Sequence, residues 1–229
     1  LAARRSYLLI ADAREIKRYL DSKYKTQVIY VPYGATPPKK ESIKPEVLEK
    51  YALKEGAYNL FIARLEPENN FEVILEGIQK SNSDRHTLII GNHETPYGEK
   101  LKARYRDSRI RFLKDIYDKS ELNTLRAFAH IYFHGHTVGG TNPALLEAMA
   151  SKCMICAHDN KFNREVLGED GSYFLDALDV ANACDLLELN ETQRQKIKNN
   201  LHKIKERYNW DVVTDQYEVI FQQGLIQLR

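Results

Sequence analysis

Long hydrophobic runs are missing from this chain. None approaches the roughly 18 consecutive apolar residues that a membrane-spanning helix needs. No N-terminal stretch reads as a secretory signal. Cysteine is scarce: Cys153, Cys156 and Cys184 are the only three, too few for a disulfide framework, and they point to a reducing cytoplasm. Charge of one sign is lacking too. A net +2 does not argue for nucleic acid; it permits only local contact with an anionic membrane surface, through patches such as Lys39-Lys40. No internal repeat and no low-complexity tract is present. No G-x-G-x-x-G follows the first strand, which argues against a dinucleotide-dependent dehydrogenase. The remaining composition, 43% hydrophobic and 29% charged over 229 residues, suits one large or two small globular domains.

The stretch that organises the chain runs from His134 to Met149. An apolar run, Ala129 to Phe133, leads into it and reads as a buried strand. A Gly-rich turn follows, then Pro143 where a helix would start, with Thr141 or Asn142 as N-cap. A strand, such a turn and a helix N-terminus make an anion site, because free backbone N–H groups and the helix dipole favour negative charge there. Glu147 falls about one turn into the helix, where its carboxylate could accept hydrogen bonds from a sugar diol.

Around that centre the pattern alternates. Strands are expected at Tyr7–Ala11, Val28–Val31, Tyr58–Ala63, His86–Ile90, Ile110–Leu113, Cys153–Ala157 and Ser172–Leu175. Helices are expected over Asp12–Ser22 (capped by Asp12), Pro45–Lys54, Pro67–Lys80, Gly98–Arg106, Ser120–Ala129, Phe162–Leu167, Val180–Leu187, Glu191–Tyr208 and Asp211–Gln222. Residues 32–38, rich in proline, read as a hinge. The alternation predicts an α/β fold: a doubly wound, mostly parallel, Rossmann-like sheet with helices on both faces. Ligands of such sheets sit beyond the carboxyl ends of the strands. The turns after Ala63, Ile90, Leu113 and Phe133 all open onto that edge.

Four features converge there. Arg64, directly after a strand, could grip a phosphate with its planar fork, although loop arginines are commonly just solvated. Gly91-Asn92 ends the next strand, where glycine allows close backbone approach. Leu113 to Tyr117, with Ile116, could present backbone to a nucleobase edge. The fourth feature is the Gly-rich turn with Glu147. His130, His134 and His136 cluster, but a zinc site needs converging ligands, and His130 belongs to the preceding helix end. His136 is instead the residue expected to touch a ligand. Cys153 and Cys156 have C-x-x-C spacing, yet in an apolar strand they read as core residues.

These residues are similar to those of a known family. Arg64-Leu65-Glu66-Pro67-Glu68, Gly139-Gly140-Thr141-Asn142-Pro143-Ala144-Leu145-Leu146-Glu147-Ala148-Met149-Ala150 and Tyr208-Asn209-Trp210 resemble the C-terminal, donor-binding half of family 4 retaining glycosyltransferases, whose GT-B architecture sets two Rossmann-like domains across a cleft. The resemblance implies that residues 1–33 are a remnant of the acceptor domain, 34–207 the donor domain and 208–229 a crossing helix. The start at Leu1 fits a fragment. Arg64 and Glu147 become the catalytic pair, Arg64 on the donor diphosphate and Glu147 on the ribose. Asn69, Gly91, Asn92, Ile116, His136, Gly139, Gly140, Thr141 and Asn142 complete the donor site.

Two departures stand out. Gly139 replaces the first Glu of the family's E-x7-E pattern, and Asn69 replaces a basic residue. Both resemble a bacterial subgroup linked to rhamnosyl transfer from dTDP-rhamnose. No cofactor or metal is implied beyond the nucleotide sugar. The partners implied are that donor and a glycan or lipid-linked acceptor of polysaccharide biosynthesis, in the cytoplasm or at the inner membrane face. Exposed strand edges permit a homodimer. No carboxylate is placed as a covalent nucleophile, and the chain alone is expected to bind donor without transferring it. The reading of another class is a non-catalytic nucleotide-binding or interaction module.

Overall fold

The computed structural model describes residues 2–227, with side chains to residue 224. After a short helix α1 (Ala2–Arg5), strand β1 (Leu8–Ala11), helix α2 (Arg14–Lys23) and strand β2 (Gln27–Tyr30) form a parallel two-stranded unit. A short helix α3 (Val47–Lys50) then leads into the main body. There β3 (Tyr58–Ile62), α4 (Phe71–Lys80), β4 (His86–Ile90), α5 (Pro96–Arg104), β5 (Ile110–Leu113), α6 (Lys119–Ala127), β6 (Tyr132–His134) and α7 (Pro143–Ala150) follow one another. Next come β7 (Ile155–His158), α8 (Lys161–Leu167), β8 (Ser172–Phe174), α9 (Ala177–Leu186), α10 (Glu191–Glu206) and α11 (Trp210–Gln227).

The second sheet has the order β5-β4-β3-β6-β7-β8, and every pairing is parallel. A parallel sheet must be covered on both faces, and period-2 alternation sorts its side chains. Tyr58, Leu60, Leu88, Ile90 and Tyr132 point into one core, against Leu125 of α6, Leu145 and Met149 of α7, and Ile204 of α10. Phe61, Ile89 and Phe133 point into the other, against Phe71, Ile74 and Leu75 of α4, Leu101 of α5 and Val180 of α9. The chain changes face at α6, the connection from the β5 edge back to β6 beside β3. The strand order reverses there, which opens a crevice at the carboxyl ends of β3 and β6.

Several element ends differ from expectation for local reasons. The helix expected from Pro67 begins only at Phe71. Pro67–Asn69 form a single 3-10 turn, and Asn70 is left-handed at φ 55°. Asn tolerates that region, and its Nδ2 donates to the Gly135 carbonyl at 2.8 Å. The run expected as a strand from Ala129 is a regular strand only over Tyr132–His134; before it His130 N donates to the Tyr58 carbonyl at 2.7 Å and the Ile131 carbonyl accepts from Leu60 N at 2.8 Å, while the His130 Nε2 lies 2.7 Å from the Leu187 carbonyl. Between Pro45 and Lys54 only Val47–Lys50 is helical; Ala52 takes a positive φ of 51° and turns the chain.

Asp12 does not cap α2. Ala13 occupies the cap without a side-chain bond, and the first-turn amides are served from elsewhere in the chain. The Glu165 carboxylate accepts from Arg14 N at 2.9 and 3.1 Å and from Glu15 N at 3.4 Å. A carboxylate suits the positive end of a helix, so α8 holds the two-stranded unit through this cap. A Glu165→Ala substitution is expected to cost about 1 kcal/mol in urea denaturation and to speed hydrogen exchange across α2 first. Unchanged exchange in α2 would mean that the cap is not what holds the unit.

Candidate functional site

The crevice is built from two loops. Arg64 to Asn70 leave β3, and Gly135 to Asn142 leave β6. Thr137 ties them together, its backbone N and its Oγ1 both donating to the Glu68 carbonyl, at 3.0 and 2.9 Å. Asn160 and Asn163, at the start of α8, clamp the second loop from the other side; their Nδ2 atoms donate to the His136 carbonyl at 2.9 and 3.1 Å. Neither amide was singled out by motif, because each acts through a backbone carbonyl distant in sequence.

Arg64 is exposed at the lip and close enough to His136 to influence its titration. Asn69, expected among the donor ligands, is buried, and its Nδ2 donates inward to the Arg64 carbonyl at 2.7 Å. It therefore shapes the loop that carries Arg64, and its amide N–H group does not face the crevice. Gly91 is likewise explained from within: a Cβ there would strike the Ala63 carbonyl of the neighbouring strand. Exposed Asn92 folds back to accept from Glu94 N at 3.1 Å.

The turn itself is assembled as a helix N-terminus. Gly139 has a φ of 124°, a conformation that side chains avoid. Asn142 is the N-cap, its Oδ1 accepting from Ala144 N at 2.9 Å, with Pro143 at the first helical position. Thr141 is buried and donates its hydroxyl to the Asp12 carbonyl.

One turn further, Glu147 lines a cleft of about 510 Å³ together with Tyr33, Lys39, Lys119, Arg126 and Trp210. Glu147 is half exposed and forms an ion pair with Arg126, which is only 4% exposed. A buried guanidinium needs its partner, and the second Glu147 oxygen has no side-chain or backbone donor among the described residues. Arg126 is the cleft residue that sequence reading missed; an arginine near a helix end reads as solvated. Ile116 lies apart, in a shallower neighbouring hollow with Lys50, Tyr51 and Glu121. The first turn of α6 separates the two, so the structure joins Arg64, His136 and the Gly-rich turn more closely than it joins any of them to Ile116. A wider hollow sits at the opposite edge of the sheet, lined by Glu55, Asp84 and Asp185 as well as Arg85. Its carboxylates oppose an anionic ligand.

Beneath the turn the rings of His134 and His136 stack at 4.5 Å and 15°. His134 is fully buried, and neither of its ring nitrogens finds a partner among the described residues. Burial, then His136, hold its pKa well below the usual histidine range. Burial and then the Arg64 cation lower His136 to about 4. Among the described residues no group of three or more His, Cys, Asp or Glu could hold a metal ion, and His130 lies away from this pair on Leu187. The C-x-x-C cysteines face opposite cores. Burial pushes both thiols up, Cys153 to about 12.

Both imidazoles are thus neutral at pH 7, whereas in the unfolded chain they protonate near the ordinary 6.5. Between that value and the folded ones the unfolded state binds more protons. Their contribution is complete above about pH 6.5 and is lost as pH falls towards 4. Stability measured by urea denaturation is expected to drop by a few kcal/mol over that interval. His134→Leu should be no less stable at pH 7 and should flatten the drop. His130 and His158 are shifted the same way, so parallel curves for wild type and variant would move the effect from His134 to His136 and those two.

Comparison with known proteins follows the same edge of the sheet. No curated protein matches the chain. The fold is shared with a sucrose-phosphate synthase from Thermosynechococcus elongatus (TM-score 0.82, 17% identity, 98% of this chain and 60% of that one). It is shared also with HepE of Anabaena, solved with UDP and glucose (0.82, 14%, 96% and 65%), and with an α,α-trehalose 6-phosphate synthase from Burkholderia multivorans (0.76, 10%, 99% and 61%). The chain therefore spans less than two thirds of the length of each. The six-stranded unit is a Rossmann-like half of the GT-B kind. Residues 44–204, which take in both crevice loops, Arg126 and Glu147, match the glycosyl transferases group 1 model, and the chain belongs to that family.

Proposed function

We propose that this chain is the donor-binding half of a retaining, family 4 glycosyltransferase. It moves a hexosyl unit, rhamnose from dTDP-rhamnose, onto a glycan or lipid-linked acceptor in bacterial polysaccharide biosynthesis. Residues 1–33 are the part of the acceptor domain that stays with this half, 34–207 the donor domain, and 208–229 the helix that crosses back. The work is done in the cytoplasm or at the inner membrane face, without metal or other cofactor.

One observation carries this reading. An exposed guanidinium, Arg64, and the capped N-terminus of α7 flank the same crevice, and Glu147 stands one turn along, oriented by Arg126. A nucleoside diphosphate fits that order. The diphosphate lies between Arg64 and the N–H groups of Gly140 to Asn142, and the ribose hydroxyls reach Glu147. When the bond from the sugar's anomeric carbon to the diphosphate oxygen breaks, negative charge gathers on the diphosphate. Arg64 and the helix dipole are already in place to stabilise it. The acceptor hydroxyl oxygen replaces that oxygen on the same face of the sugar, and its proton passes to the departing diphosphate. The acceptor must be positioned by a second domain, so the chain alone binds donor and turns over little.

The non-catalytic reading has one observation in its favour: with Gly139 carboxylate-free and Asn69 turned inward, two usual contacts are absent. UDP-glucose and UDP with glucose are bound in the crystal structures of HepE, which makes UDP the natural competitor in a test. Calorimetric titration with dTDP, UDP and GDP is expected to give binding of one nucleotide, dTDP. Arg64→Ala and Glu147→Ala should each weaken it roughly tenfold or more, the worth of one charged hydrogen bond. Tight binding of UDP with none of dTDP would remove the rhamnosyl assignment. Binding indifferent to both substitutions would remove the site.

A further inference from the structure

Asp12, the residue after β1, was expected to cap a helix and does not. Its carboxylate instead lies flat against the Gly-rich turn. A Cβ on Gly140 would land among the Asp12 carboxyl atoms. Gly140 has no positive φ to explain it, so the missing side chain is room kept for this carboxylate. The backbone is fastened there too, since the Thr141 hydroxyl donates to the Asp12 carbonyl.

The carboxylate is poorly served by the protein. Among the described residues no side chain and no other residue's amide donates to it; its own backbone N–H is the one group that helps, and burial raises its pKa. Half-buried beside the hollow, such a carboxylate is open to hydrogen-bond donors from water or from a bound molecule. A phosphate cannot supply them, being an acceptor and negative. Hydroxyl groups can, and a carboxylate with two free oxygens suits adjacent hydroxyls of a sugar. Asp12 also lines a hollow of about 290 Å³ whose walls include Tyr33 and Trp210, the same two side chains that border the Glu147 cleft. It thus stands where a group attached to the far end of a diphosphate on the turn would reach.

We infer that Asp12 binds the donor sugar, accepting hydrogen bonds from its hydroxyls across Gly140 and supplying from the two-stranded unit the carboxylate that position 139 lacks. This rests on the donor site proposed above. It makes the two-stranded unit part of the donor site, and it makes Asp12 a residue that distinguishes a nucleotide sugar from a bare nucleotide.

The test compares the two ligands. The chain is titrated with dTDP and dTDP-rhamnose, and with UDP and UDP-glucose, as wild type, Asp12→Asn and Asp12→Ala, with thermal melting of each. For the preferred pair, both Asp12 variants are expected to weaken the nucleotide sugar roughly tenfold or more and to change the nucleoside diphosphate less than about twofold. Equal losses for both ligands would show that Asp12 only holds the turn, and no loss for either would show that it does not meet the sugar; each overturns the inference. If wild type bound neither ligand of either pair, the donor-site reading would fail first and this inference with it. If the nucleoside diphosphates bound and the loss remained equal, only this inference would fail.

Discussion

The reversal of strand order between β3 and β6 is the constraint on which the rest depends. Parallel strands must be joined by crossovers, and each crossover commits its helix to one face of the sheet. Up to β5 the connecting helices α4 and α5 pack on one side; α6 carries the chain to the other. The loops leaving β3 and β6 therefore part instead of filling the same space. They are bridged deeper down, where Thr137 donates to the Glu68 carbonyl, and the crevice lies between them. Arg64, His136, Gly140 and the N-cap Asn142 are together because of that one change of direction.

A gap between loops is useful only if its walls hold still. Here the stiffening comes from buried and half-buried side-chain amides that donate to backbone carbonyls. Asn69 fixes the Arg64 carbonyl, Asn70 reaches Gly135, and Asn160 and Asn163 hold His136. Each bond is worth about 1 kcal/mol net, but together they set the loop geometry before any ligand arrives. The cost of ordering the loops is then met in folding and not in binding. The pair Arg126–Glu147 follows the same logic with charge. A desolvated guanidinium holds its carboxylate partner, and Glu147 keeps one oxygen free of protein donors among the described residues.

The two-stranded unit of β1, α2 and β2 is joined to the larger one by contacts of a different kind. Its own apolar residues, Leu8, Ile10, Ile29 and Val31, pack on Val213, Tyr217 and Ile220 of α11. Against the crevice it offers polar contacts: the Glu165 carboxylate on the α2 amides, Thr141 on the Asp12 carbonyl, and Lys161 with Glu15 at 3.2 Å. Such contacts are directional and exchange readily with water, which suits a junction beside a binding site better than a sealed apolar seam would.

Much of this was legible along the chain. Period-2 runs such as Tyr58–Ile62 and His86–Ile90 declare buried strands, Asn142-Pro143 declares a helix start, and the alternation declares a parallel, doubly wound sheet, because those signals are local and repeat. Element ends were less legible wherever a distant partner decided them. Asn70 turns left-handed beside the Gly135 carbonyl, and just before β6 the His130 ring meets the distant Leu187 carbonyl. The site divides in the same way. Arg64, the Gly-rich turn and Glu147 follow strand ends or open a helix, so their place on the edge could be read from order alone. Arg126 under Glu147, Asn163 behind His136, the inward turn of Asn69 and Asp12 against Gly140 are pairings between residues 21 to 128 positions apart or reversals of side-chain direction. Sequence order carries no record of them. Only folding sets the two side chains of each pair in one desolvated place, and there the cost of leaving a polar group unpaired decides who meets whom.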